Sequence, residues 1–268
     1  MKSNTPFVSE WMEAAVLEAL HTEADDELRS RLGLQLETIG GTLVSVASND
    51  SSILLNRAIG LGLKAPATAQ ELDRICSKYR DAGIERFFLH VHPEARPENI
   101  EKLLHQAGLK SYRRWMKFQR GPGSSPTTDS DLEVRKIGTD HVDDFGRIAT
   151  GGFGLTEEAR PLFEGLLNRD GFHLYMTFDG DSPAGTGLLY LDGECAWLDW
   201  AATDQKFRQR GSQRALLARR IEDAIDAGCT RLMTCTGEAV PGDPQHSYHN
   251  IEWAGFDPKF LRENWILK

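Results

Sequence analysis

Residues 208–213 read RQRGSQ, and residues 57–62 read RAIGLG. The second fits the pattern [QR]-x-x-G-x-[GA] throughout; the first departs from it only at Gln213. A loop of this kind can wrap a pyrophosphate in backbone N–H groups, provided that it leads straight into a helix whose unpaired amides and dipole then face the anion. RAIGLG does not meet that condition. It continues the apolar stretch SILLNRAI, is followed by Leu63 and Pro66, and precedes a helix that starts only near Thr68. Its glycines suit a turn or a close backbone approach. RQRGSQ does meet it, lying between WLDWAATD (197–204), which reads as a strand, and RALLARRIEDAIDAG (214–228), which reads as a helix with Leu216, Leu217, Ala224 and Ile225 inward. Arg208 and Arg210 add positive charge to the loop, and at a helix start the Gln213 side chain can point outward. The imperfect match is the better cradle.

Outward from this loop, the stretch GPGSSPTTDSD (121–131) contains no apolar residue and reads as a linker. It divides the chain into expected domains 1–120 and 132–268. After it the pattern predicts a strand at 132–137, helices near 140–150 and 157–168, strands at 172–178, 185–191 and 196–202, a helix at 213–227, a strand at 231–236, a short helix at 246–254 and a last strand from Asn264. Before it, a helix at 10–32 is broken near Thr22, and strands at 42–47 and 52–59 flank a turn. A capping box, Thr68 to Glu71, opens a helix that Gly83 closes. A strand at 86–91, a helix at 98–107 and a strand at 112–118 complete that half.

The two halves repeat each other. ELDRICSKYRDAGIERFFLHV (71–91) corresponds to LLARRIEDAIDAGCTRLMTCT (216–236): a helix, the words Asp-Ala-Gly, then a strand. ENIEKLLHQAGLKSYRRWMKF (98–118) corresponds to HSYHNIEWAGFDPKFLRENWI (246–266): a helix closed by Ala-Gly, then a strand bearing a Trp. Such coincidences in one order mark two related domains in tandem.

Bulk properties narrow the function classes. The chain has 268 residues, 40% apolar and 26% charged, the make-up of a globular protein. A net charge of -9 leaves no excess of Lys and Arg for nucleic-acid phosphates; it is compatible with a cationic small substrate and with plain solubility alike. MKSNTPFVSEWMEAA lacks the apolar core of a leader, and no apolar run is long enough for a membrane span. Four scattered cysteines without a C-x-x-C pair read as reduced thiols, which together with these absences predicts a cytoplasmic protein. His90 and His92 share a strand face near Glu94 but have no third ligand, so no metal is expected.

T-D-Q-K-F-R-Q-R-G-S-Q (203–213) resembles the strand-to-helix signature of the GNAT superfamily of acetyl-CoA-dependent N-acyltransferases. Y-H-N-I-E-W-A-G-F (248–256) resembles the second signature of that family, a short helix with an Asn that ends in Gly-Phe. N-R-x-x-G-L-G (56–62) is similar to the degenerate first domain of tandem members. The resemblance implies an α/β fold of two tandem GNAT-like domains, each a mixed, mostly antiparallel sheet with a splayed parallel strand pair flanked by helices. It implies acetyl-CoA as acyl donor, with pantetheine pairing to the backbone of Ala201, Ala202 and Thr203. The pyrophosphate then rests on the N–H groups of Gln209, Arg210, Gly211, Ser212 and Gln213, with Arg208 beside them, and Asn250 touches the donor.

Acyl transfer to an amine requires a base, donors for the oxyanion and an acid for the thiolate. Asp199, among Trp197, Leu198 and Trp200, is the candidate base, its pKa raised by that bulk; a solvated strand-edge Asp is the bland alternative. The position where the family often carries its Tyr is Ile251, so the acid falls to Tyr248 one turn earlier, with His246 and His249 as further options. The expected function is transfer of an acetyl group to a primary amine of a small molecule or peptide, by a monomer or homodimer. A non-catalytic acyl-CoA-binding or partner-binding module is the rival.

Overall fold

The computed structural model describes residues 7–268. The first six residues of the stretch weighed above as a leader therefore lie outside the described residues.

The chain opens with α1 (Val8–Thr22) and α2 (Asp26–Leu32). The break near Thr22 falls where the sequence put it, because Asp25 caps α2 by accepting from Leu28 N at 2.7 Å. Then come β1 (Leu34–Ile39), β2 (Thr42–Ala47), β3 (Arg57–Ile59), α3 (Ala69–Asp81), β4 (Phe88–Val91), α4 (Ile100–Gln106) and β5 (Leu109–Arg120). The second half contains β6 (Glu133–Lys136), α5 (Val142–Phe153), β7 (Phe172–Asp179), β8 (Ser182–Asp192), β9 (Cys195–Thr203), α6 (Ser212–Asp226), β10 (Arg231–Gly237), α7 (His246–Trp253) and β11 (Asp257–Leu267).

Four local expectations need correction. β1 was not anticipated. The strand expected at 52–59 shrinks to Arg57–Ile59, since Asn56 spends its side chain on the carbonyls of Asp50 and Ser52 and holds a turn. The helix expected at 157–168 is two 3-10 segments, with Pro161 inside the first. The capping box is half formed: Thr68 accepts from Glu71 N at 3.1 Å, but the Glu71 carboxylate turns to Thr42 Oγ1 at 2.8 Å.

All eleven strands form one mixed, mostly antiparallel sheet in the order β1-β2-β3-β4-β11-β5-β10-β9-β8-β7-β6. Only β3/β4 and β9/β10 are parallel. The order is close to a palindrome about β11/β5. Each half contributes an antiparallel run, then a parallel pair, then the last strand of the other half, then its own last strand. β11 thus begins at Asp257, well before Asn264, and is paired on both sides, to β4 and to β5.

Successive strand residues face alternate sides of the sheet. Leu174, Leu188 and Trp197 pack under α1, α2 and α5, while Tyr175, Leu189 and Leu198 pack under α6 and α7. A third cluster joins α3 and α4 to the first half. Helix α1 lies across the middle of the sheet with two carboxylates inward. Glu13 pairs with Arg57 of β3 at 2.7 Å, with Lys117 of β5 and with Arg262 of β11. Glu10 pairs with Lys117 at 3.1 Å and Arg262 at 3.0 Å. All five groups are buried. Burial alone would raise the Glu13 carboxyl, but the three cations outweigh it and hold its pKa well below the ordinary value.

Candidate active site

Among the described residues β9 and β10 pair through Cys195–Trp197 and Arg231–Met233, after which Thr234 Oγ1 donates to Leu198 O at 2.8 Å. The strands part because β9 bulges. Between the pairs Leu188↔Asp199 and Thr186↔Ala202, β8 advances two residues and β9 three. Trp200 takes up the bulge with φ at 48°, a left-handed conformation unusual for so bulky a residue. Phe153 and Phe163 hold its ring edge-on at about 5 Å. Ala201 has no partner on β8.

Arg220 of α6, fully buried, completes the bulge. Its Nη1 donates to Leu188 O at 2.9 Å and Asp199 O at 3.1 Å. Only glycine fits at 187, where a Cβ would come within 2.7 Å of the guanidinium carbon.

The Asp199 carboxylate accepts from Trp197 Nε1 at 2.9 Å and Trp200 N at 2.8 Å. Burial pushes its pKa above the ordinary range, against the attraction of Arg57 and these hydrogen bonds. It lies on a cleft of about 110 Å³ in the strand split, together with Ala201, Gln213, Ser247 and Asn250. Cys235 lines the same cleft, but burial and the neighbouring Glu13 push its thiol to about 12, so it is no nucleophile at neutral pH.

The glycine loop leads directly into α6. Gly211 has φ at 79°, Gln209 at 64°, and Gly211 is the residue before the first helical turn. Among the described residues, none of the backbone N–H groups of Gln209, Arg210, Gly211, Ser212 and Gln213 is bonded within the chain. Three side chains of the loop are engaged within the chain, Arg210 and Gln213 against expectation. Arg210 is spent on Asp131 at 2.6 Å and Asp179 at 2.7 Å, so it ties the 121–131 segment to the loop and contributes little free charge. Ser212 is buried on Thr177 Oγ1 at 2.7 Å. Gln213 points inward, donating to Ala202 O at 2.9 Å and Thr203 Oγ1 at 2.8 Å at the end of β9. Arg208 is exposed.

On α7 the two halves of the expectation separate. Asn250 faces the cleft and accepts from Arg214 Nε at 3.1 Å. Tyr248 packs edge-on against Phe118 at 4.9 Å and lines a second cavity of about 440 Å³. Thr236 and Ser247 line both cavities, which therefore lie side by side. Helix periodicity carried this signal, since Ser247, Asn250 and Ile251 share one face at i, i+3 and i+4. Arg220 and Thr236 gave no sequence signal. His246 lies on the larger cavity and His249 beside Glu252 at 3.6 Å.

In the first half, the RAIGLG loop is filled. A Cβ at Gly62 would sit 2.5 Å from the Arg96 carbonyl, and Arg96 N donates to Gly62 O at 3.0 Å. These glycines permit a close backbone approach. His90 is bonded to Asn264 at 2.7 Å, and His92 accepts from Glu94 N at 3.0 Å. Among the described residues no group of three or more His, Cys, Asp or Glu could hold a metal ion. None of the described helices is long and apolar enough to cross a membrane.

Residues 140–249, from the approach to α5 into α7, match the family model described as "Acetyltransferase (GNAT) family". This segment is a GNAT acetyltransferase domain. Solved structures extend the likeness of fold to the whole chain. A GCN5-related N-acetyltransferase from Kribbella flavida is 14% identical, with TM-score 0.63 over 98% of this chain and 96% of the other. One from Sphaerobacter thermophilus is 16% identical, with TM-score 0.59 over 96% and 90%. A GNAT-family acetyltransferase from Colwellia psychrerythraea is 16% identical, with TM-score 0.54 over 98% of both chains. No curated protein matches the sequence.

Proposed function

We propose that the chain is an N-acyltransferase that moves the acetyl group of acetyl-CoA to a primary amine, with 132–268 as the donor-binding domain and 1–120 completing the acceptor side. The observation that carries this reading is the row of five unbonded N–H groups, Gln209 to Gln213, at the start of α6 and beside the opened β9 edge. The pyrophosphate lies on that row, with Arg208 beside it, and the pantetheine arm runs along Ala201, Ala202 and Thr203 past Asn250. The amine nitrogen attacks the thioester carbonyl and gives a proton to Asp199, directly or through one water. The tetrahedral oxyanion takes the N–H of Ala201, the residue after the bulged Trp200. Collapse breaks the C–S bond, and the thiolate takes a proton from Tyr248, a phenol that carries its proton at neutral pH.

The rival, a module that binds without chemistry, draws on Gln213, which covers the strand edge that the donor needs. The cleft is also below the roughly 300–1,000 Å³ typical of ligand pockets. Gln213 therefore has to swing aside. Replacing Gln213 with Ala frees Ala202 O and is expected to tighten acetyl-CoA about threefold or more, a gain of the order of one lost competing hydrogen bond. Weaker binding in that variant makes Gln213 a ligand contact and not a cover.

Calorimetric titration with acetyl-CoA tests the whole reading. One site per chain is expected, weakened about tenfold or more in Arg208→Glu, since a charge-assisted contact to phosphate becomes a repulsion. Unchanged binding in that variant removes the donor from this loop. No binding by the wild-type protein favours the module.

A further inference from the structure

The larger cavity is walled by both halves and differs in character from the acidic molecule around it. Phe88 of β4 and Tyr112 and Trp115 of β5 line it from the first half, with Phe88 5.9 Å from the Trp115 ring and 5.6 Å from that of Tyr112. Thr236 and Ser247 form part of its wall and also part of the wall of the β9/β10 cleft.

Its two arginines are in different states. Arg113 is committed, to Asp243 at 2.7 Å and to Glu238 O at 2.9 Å. Arg86 reaches only Tyr112, with its guanidinium carbon 5.5 Å from the ring centre and Nη2 3.4 Å from the hydroxyl. No carboxylate partners it among the described residues. In a chain of net charge -9 with forty acidic residues, an arginine on a cavity wall without one is an open anion contact.

The sheet order fixes which end is which. β4 lies three strand spacings from β10, about 14 Å. Arg86, just before β4, leans back over Tyr112 on β5. A ligand spanning the cavity thus has one end at Thr236 and Ser247, which also line the cleft of Asp199, and the other at Arg86, with an aromatic wall between.

We propose that the acceptor, on the acyltransferase reading given above, is a primary amine joined through an apolar or aromatic body to a carboxylate, with the carboxylate on Arg86 and the amine at the Thr236–Ser247 end. The negative charge of the whole chain pointed loosely to cationic substrates; the local charge of this cavity selects an anionic tail. Polyamines meet a cation where such a ligand places its carboxylate.

The test is a matched pair of probes, 4-(aminomethyl)benzoate and 4-(aminomethyl)benzamide, equal in shape and different in charge. Calorimetry without donor is expected to show the benzoate binding at least about tenfold more tightly, the worth of one charge-assisted pair. In Arg86→Met the preference disappears while the benzamide is unaffected, because Arg86 is exposed and its loss leaves the core intact. Equal binding of the two probes, a preference that survives Arg86→Met, or no binding of either at millimolar concentration overturns the proposal. Acetylation is followed separately with acetyl-CoA. Turnover of both probes at equal efficiency keeps the acyltransferase reading and overturns the anion contact. The predicted preference without any turnover keeps the anion contact and overturns the transfer reading.

Discussion

Glu13→Gln is expected to cost about 3–5 kcal/mol of folding free energy, lowering the unfolding temperature by on the order of 10 °C. Glu13 touches three buried cations, Arg57, Lys117 and Arg262, and without its charge only Glu10 remains to balance them. Removing one member of a buried ion cluster leaves the others desolvated and uncompensated, which is why the effect is far larger than for an exposed pair. The pH dependence follows in sign. The Glu13 carboxyl has a lowered pKa in the fold, so its stabilisation is present above the ordinary value of 4.5 and is lost as pH falls below it toward the folded value. Urea unfolding at neutral pH and at about pH 3.5 checks both points. A loss below about 1 kcal/mol at neutral pH, or a wild-type protein equally stable at both, contradicts this account of the cluster.

Asp199→Asn is expected to lower kcat by about 10²–10⁴ while leaving acetyl-CoA affinity unchanged, the range for loss of a positioned general base. The carboxylate sits at the cleft with two fixed donors, Trp197 Nε1 and Trp200 N, and touches no part of the glycine loop. Because burial raises its pKa, the wild-type rate should fall with decreasing pH at a value above 3.8, and Asn should abolish that limb. The linkage has the opposite sign to that of Glu13: whatever stability Asp199 lends is full below 3.8 and is lost as pH rises through its folded value. Steady-state rates across pH, beside calorimetric titration with acetyl-CoA, decide the matter. A loss of less than about fivefold moves the base elsewhere.

What the sequence disclosed, it disclosed where the cause was local. The loop at 208–213 is followed by a helix, and both facts lie within one stretch of chain. The Ala-Gly endings at Gly108 and Gly255 both take positive φ, as a helix stop requires. What it concealed depends on partners far along the chain. Gln213 turns inward to Ala202 O and Thr203 Oγ1 at the end of β9, and no pattern around Gln213 announces those acceptors. The interior position of β11 depends on β4 and β5, more than a hundred residues earlier. Glu13 was partly legible: it shares a helix face with Val16 and Leu20 at i, i+3 and i+7, and a carboxylate on an apolar stripe calls for a buried cation. The Ser247 face of α7 was legible too, whereas the contact of Tyr248 with Phe118 comes from the exchanged strand β5 and was not.

The exchange of β5 and β11 also sets a timetable for biosynthesis. On the ribosome, β4 and β5 emerge with a gap between them that only β11 fills, and β11 is made roughly ten seconds later at 5–20 residues per second. Until β10 and β11 are made, β5 has no strand partner and β4 leaves an edge unpaired, the kind of edge that recruits stray strands. Neither half can be finished before the other, so the polypeptide commits to its native state once, late and all together.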